Sequence, residues 1–381
     1  MTNRLRSMSI VLPSLALSTA LAAQTPAAAV TRAEQTIDGP SILRDIKTLS
    51  SDAFTGRAPG TRGEDSSIAF LQRRFREIGL APGNPDGTYI QRVPLVGTTS
   101  SVETHLTAGG KPLNVRWLDD IVAWSLHADS LVTVKPADIV FVGYGVVAPE
   151  YKWDDFKGVD VRNKVVVMLV GDPPVPDPRD STRLDAATFR GKAMTYYGRW
   201  TYKYEMAAAR GAAAVLLVHQ TGPAGYPWAT VQSNAHEKLE IANGPKHASV
   251  EGWIHLDLAK QLFAASGKDF VALERTARTR AFRPVTLGTG AFTIHNAVRR
   301  FESRNVVGKI VGSDSQLKNE FVVLSAHWDA YGIGRPISGD SIYNGALDDA
   351  SGDAWLLAEA RALKSLPTPP KRTLLFLAVT A

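Results

Sequence analysis

The chain has 381 residues, 44% of them hydrophobic, and a formal net charge of +6, which allows two domains with substantial cores. Its basic residues are interleaved with acidic and apolar ones, as in Arg73-Arg74-Phe75-Arg76-Glu77, which speaks against a nucleic-acid face. Cysteine is absent, excluding disulfides, thiolate–zinc sites, a cysteine nucleophile and a lipoprotein anchor.

At the N-terminus Arg4 and Arg6 precede a mostly apolar stretch, Met8 to Leu17, and then small residues from Ser18 to Ala23. This pattern reads as a secretory signal peptide over residues 1–23, cleaved after Ala22 or Ala23, and implies a periplasmic or secreted protein. The apolar stretch is too short to remain as a membrane helix. No membrane association is expected after cleavage.

Ser41 to Leu49 reads as a short helix. The turn GRAPGTRG then leads into a second helix, in which Ile68, Leu71, Phe75 and Ile78 recur at helical spacing and Gly79 closes the end. From residue 102 to 286 the texture changes to short strands, DIVFVGYGV (138–146) and KVVVMLVGD (164–172), followed by a helix-turn-strand unit at 203–219. These elements form a compact α+β domain. Its aromatic stretch TYYGRWTYKY (195–204) fits either a substrate-cleft lining or a packing surface between domains. A third texture follows: strands at 305–312 and 321–326, a Gly-rich loop, a helix from Gly352 to about Leu366, and a terminal strand from Thr373 to Thr380. Strand, loop, helix, strand in this order predicts a parallel crossover in a doubly wound or mixed α/β sheet.

Chemistry is expected where the strand FVVLSA ends, because open sheets place ligands at the carboxyl ends of their strands. His327 and Asp329 lie there, and Asp348 and Asp349 precede the following helix. An imidazole and carboxylates converging on one sheet edge suit zinc, and Asp329 can hold the other ring N–H of His327. On spacing alone the bland alternatives stand beside this reading. A strand-end histidine can be a hydrogen-bonded core residue, and either aspartate can cap the helix. Elsewhere, His236-Glu237-Lys238-Leu239-Glu240 matches half of a zinc-binding helix motif without its second histidine. His219, His247 and His255 fit surface or core roles, and Ser351 reads as a helix-start residue.

H-x-D followed some twenty residues later by G-A-x-D-D-A-S-G resembles the co-catalytic zinc aminopeptidase family, whose relatives include glutamate carboxypeptidase, glutaminyl cyclase and the transferrin receptor. The segment from Ser50 to Gly83 and the strand pair NVVG and EFVVLSAHWDAYG resemble the same family. The 102–286 region resembles a protease-associated domain. The resemblance implies a mixed, mostly parallel α/β sheet with flanking helices, the zinc aminopeptidase fold. Residues 24–101 and 287–381 would supply that sheet, and an inserted domain at 102–286 would interrupt it.

It also implies a peptide substrate and two zinc ions that polarise the scissile carbonyl and generate hydroxide. His327 resembles a ligand of one zinc, Asp348 the carboxylate bridging both, and Asp329 the residue orienting His327, while Asp349 matches a structural position. The family's general-base glutamate and three further ligands follow a strand like TLLFLAVTA. None of the four is expected within this chain, which reads as cut short in its sheet, with weak zinc affinity, uncovered apolar faces and no catalysis of its own. The alternatives are a non-catalytic binding protein using the protease-associated domain, or carboxypeptidase or glutaminyl cyclase chemistry on the same scaffold.

Overall fold

A computed structural model describes residues 26–233 and 235–380; the expected signal peptide lies outside them. Helix α1 (Gly39–Leu49) begins where the Asp38 carboxylate accepts from Ser41 N at 2.8 Å, an N-cap. Helix α2 (Arg62–Ile78) is capped by Thr61 and ends at Gly79, whose φ of 81° a side chain would disfavour. It buries Ile68, Leu71 and Phe75, as their spacing predicts.

Strand β1 (Ile90–Ala108) follows, then β2 (Ile121–Trp124), β3 (Leu131–Phe141) and β4 (Val165–Leu169). Helix α3 (Trp200–Ala209) leads into β5 (Ala214–His219), and β6 (Lys238–Ile241) and β7 (Val250–His255) precede helices α4 (Leu256–Ala265) and α5 (Phe270–Ala277). The closing elements are β8 (Val285–Ile310), β9 (Phe321–His327), the hairpin β10 (Gly332–Ile337) and β11 (Asp340–Tyr343), helix α6 (Ser351–Lys364) and β12 (Thr373–Val379).

The principal strands form one mixed sheet, and β1 and β8 run its full depth. They pair antiparallel from Thr289↔Thr107 to Val306↔Ile90 without a break in register. The expected boundaries near residues 101 and 286 therefore fall inside continuous strands rather than in linkers. At one end of this ribbon β3 pairs with β8 antiparallel, and β4, β5 and β7 continue from β3 in parallel. At the other end β12 pairs antiparallel with β8 and β9 pairs parallel with β12, the expected crossover.

Three apolar cores pack on the sheet. One gathers Phe141, Phe263, Phe282 and Phe292, with the Phe141 and Phe263 rings edge-on at 5.0 Å. A second gathers Trp124, Phe156, Leu217 and Trp253, and a third gathers Leu71, Phe75, Trp328, Leu357 and Phe376. Strand β8 bulges between Thr286 and Gly288, where a Cβ on Gly288 would sit 2.1 Å from the Thr107 carbonyl oxygen. Strand β9 lies at the sheet's edge beside β12, with Phe321, Val322 and Val323 exposed.

Two local readings change. His236-Glu237-Lys238-Leu239-Glu240 is not helical, because Lys238–Ile241 pairs with β1 as a strand. The 138–146 strand starts earlier and stops at Phe141, since Gly143 and Gly145 take positive φ and turn the chain.

Candidate active site at the end of β9

Because β9 and β12 run parallel with His327 opposite Val379, His327 leaves the sheet at the carboxyl edge. Its Nε2 lies 2.9 Å from Asp348 Oδ1, and its Nδ1 lies 3.3 Å from both the Asp329 carbonyl oxygen and Asp329 Oδ1. The carbonyl contact has hydrogen-bond geometry. The carboxylate contact is electrostatic, for Asp329 Oδ1 is buried without a hydrogen-bond partner. Since Nδ1 faces only acceptors, it carries the proton, and neutral His327 would offer the Nε2 lone pair on the Asp348 side. The Asp329 carboxylate is the main cause that raises the His327 pKa to about 9.

Asp348 and Asp349 have different surroundings, and the peptide joining them is cis. The Asp348 side chain is 78% exposed. Asp349 turns inward, where Oδ1 accepts from Gly352 N at 3.0 Å at the start of α6 and Oδ2 accepts from His327 N at 3.1 Å. Ser351 is the first residue of α6 and donates its hydroxyl back to the Leu347 carbonyl.

The sequence reading missed Arg57. It lies in the GRAPGTRG turn, is fully buried, and donates to Trp328 O at 2.8 Å, Leu49 O and Asn344 O at 2.7 Å, and Gly345 O at 2.8 Å. Trp328 lies between His327 and Asp329, and Gly345 lies three residues before Asp348. One guanidinium therefore ties both site loops to the N-terminal segment. Nearby Asp353 is fully buried with neither oxygen hydrogen-bonded, and burial pushes its carboxyl up to about 8. A lone arginine in a Gly-rich turn gives no sequence sign of this role, since surface turns carry arginine as readily.

The site opens into a cleft of about 1000 Å³, to which Asp329, Tyr331 and Asp348 contribute one side. The facing side comes from the 102–286 region and includes Trp124, Trp200, Tyr204 and Trp253. The aromatic stretch at 195–204 is thus divided: Trp200 and Tyr204 line the cleft, while Lys203 is buried and donates to the carbonyls of Tyr144 and Gly171. His236 packs edge-on against Tyr331 at 4.9 Å, its Nδ1 donating to Ser233 O at 2.8 Å.

His247 lies between Glu240 Oε2 at 2.8 Å and Glu251 Oε1 at 3.0 Å. These two carboxylates raise its pKa to about 10. On β6, Lys238 places its ammonium 4.6 Å from the Trp124 ring centroid, and burial lowers its pKa to about 8. His219 is a core residue bonded to the Tyr226 carbonyl, and His255 caps α4.

His327 and Asp348 offer the nitrogen and oxygen donors that zinc takes. Two such donors bound at about 2 Å in tetrahedral geometry stand roughly 3.3 Å apart, near the 2.9 Å seen here. They fit as a pair. Among the described residues no cluster of three or more His, Asp or Glu side chains is arranged to hold a metal.

The profile of Peptidase family M28 matches residues 305–381, which contain His327, Asp329, Asp348 and Asp349. No curated protein matches the chain. Among solved structures, an aminopeptidase from Aneurinibacillus sp. strain AM-1 is similar at 19% identity and a TM-score of 0.43, covering 92% of this chain and 64% of that one. A zinc aminopeptidase from Bacillus subtilis is similar at 17% and 0.37, covering 90% and 61%. A Peptidase M28 precursor from Shewanella amazonensis is similar at 14% and 0.43, covering 93% and 66%. The chain thus spans about two thirds of the length of these structures. The resemblance to co-catalytic zinc peptidases seen in the H-x-D and G-A-x-D-D-A-S-G motifs agrees with the match of residues 305–381 to the profile of Peptidase family M28.

Proposed function

We propose that this chain supplies the metal edge and cleft of an exported zinc metallopeptidase of aminopeptidase type, working with two zinc ions on peptide substrates. The observation that carries the reading is the meeting of His327 Nε2 and Asp348 Oδ1 at 2.9 Å, inside the segment that matches a peptidase family. His327 would hold one ion through Nε2, and the exposed Asp348 would be the carboxylate shared with the second, as the resemblance implies. Bound zinc would polarise the scissile carbonyl and supply hydroxide at neutral pH.

The residues of this chain hold those donors in place. Asp329 fixes the Nδ1–H tautomer of His327 and strengthens Nε2 as a donor. Asp349 fixes the backbone of His327 and the first turn of α6, so the two donor loops move as one. Arg57 ties the same loops from below. The cleft would place the peptide against the aromatic wall, with its scissile bond over the donor pair. The resemblance assigns the general base to a glutamate that follows a strand like β12. The signal-type N-terminus supports export, and the match to a peptidase family supports peptides as substrates.

The test is nuclear magnetic resonance of the histidine rings during zinc titration, with His327→Ala to assign the signal. Zinc should perturb the His327 ring first, and Asp348→Asn should weaken that response. A His327 ring that ignores zinc while other histidines respond would overturn the reading. For the whole enzyme, release of an N-terminal amino acid should require zinc and be lost in His327→Ala.

A further inference from the structure

We propose that Lys238 is the carboxylate-recognition residue of the cleft and that the peptides bound there are short ones carrying a carboxylate. The proposal rests on the peptidase reading and adds its substrate class. Lys238 and the donor edge line the same cleft. The Tyr331 ring, two residues past Asp329, packs on His236, two residues before Lys238.

The carboxylates of the cleft are committed. Glu237 forms a two-pronged pair with Arg299 at 2.6 and 2.9 Å. Glu240 and Glu251 are taken by His247, Glu205 accepts from the Tyr196 hydroxyl, and Asp348 and Asp329 face His327. Lys238 has the Trp124 ring beside its ammonium and no carboxylate within ion-pairing reach among the described residues. Lys246, the other cleft cation left without a carboxylate, is exposed.

A cation kept half-buried on an aromatic face, in a cleft whose acids are all engaged, is set to pair with a charge brought by the ligand. The aromatic side of the cleft, where Trp200 is exposed, would take an apolar side chain of the same ligand. A volume of about 1000 Å³ suits a peptide of a few residues. That carboxylate is either the C-terminal group of a short peptide or an acidic side chain.

The experiment measures peptide binding to the metal-free protein by calorimetry and tryptophan fluorescence. The probes are a neutral tripeptide with a free C-terminus, its C-terminal amide, and an amide in which one residue is glutamate. One or both carboxylate peptides should bind about tenfold tighter than the neutral amide, and the comparison identifies the source of the carboxylate. Lys238→Met, which keeps the stem, should abolish the preference, while Lys238→Arg should keep it.

Equal binding of all three probes, binding of none, or a preference that survives in Lys238→Met overturns the inference. Circular dichroism of both variants shows whether the fold is retained. Failure here is distinct from failure of the peptidase reading. His327→Ala should lose the zinc response and retain the carboxylate preference, whereas a silent His327 ring leaves the Lys238 result standing.

Discussion

Arg57 Nε donates to the carbonyl oxygen of Trp328 at 2.8 Å, although 271 residues separate the two. With its bonds to Leu49, Asn344 and Gly345, this side chain satisfies carbonyls on three segments, which Asn344 also links through Ser50 O and Asp52. Replacing it by Met removes the Arg57 donor from the carbonyls of Leu49, Trp328 and Asn344, while Gly345 O keeps the amide of Ala350, at a cost of about 3 kcal/mol. Arg57→Lys keeps the charge and fewer donors, so its loss should be intermediate. Urea unfolding checks this, and a wild-type midpoint in Arg57→Met would falsify the account.

The two adjacent aspartates should separate function from stability. Asp348 is mostly exposed and bonded to another side chain, so Asp348→Ala should change stability by under about 0.5 kcal/mol. Asp349 accepts from two backbone amides. Losing both should cost about 1–2 kcal/mol. Thermal melts of the two variants give the ordering. Zinc perturbation of the His327 ring should weaken in Asp348→Ala, including where its melt matches wild type. Equal destabilisation by the two substitutions contradicts the division of roles.

His247 predicts a pH dependence on the alkaline side. Glu240 and Glu251 raise its folded pKa to about 10, against about 6.5 in the unfolded chain. The folded state therefore holds the proton more tightly. The stabilisation is fully present below pH 6.5 and is lost as pH rises towards 10. His247→Gln should remove this component and flatten the fall in melting temperature between those limits. The prediction fails if wild type and variant decline in parallel.

Much of the architecture was legible because it is written in local pattern. The spacing of Ile68, Leu71 and Phe75 marks the buried face of α2. The apolar runs of β9 and β12 around the intervening helix mark a parallel crossover. The donor pair is not set by local pattern alone, since a strand-end histidine and a capping aspartate read equally as structural; the resemblance of the H-x-D and G-A-x-D-D-A-S-G motifs singled it out.

What the sequence did not disclose depends on long-range placement. Nothing near Lys238 in sequence says that Trp124 lies beneath its ammonium, because β6 reaches that position by pairing with β1. Arg57 is equally silent, for its acceptors are backbone carbonyls, which every residue has. The helix-like HEKLE became a strand because pairing with β1 overrides a short local preference.

The exposed side of β9 predicts self-association. Phe321, Val322 and Val323 are 58%, 45% and 54% exposed, and the strand pairs with β12 at the sheet's edge. An apolar edge strand with free backbone groups is a template for another chain. Light scattering should show an apparent mass that rises with protein concentration. Val323→Lys places a charge in the middle of that surface and should lower the association, while its exposure keeps the cost to folding within about 0.5 kcal/mol. The edge is not the contact if wild type stays monomeric across the concentration range, or if Val323→Lys associates as strongly as wild type.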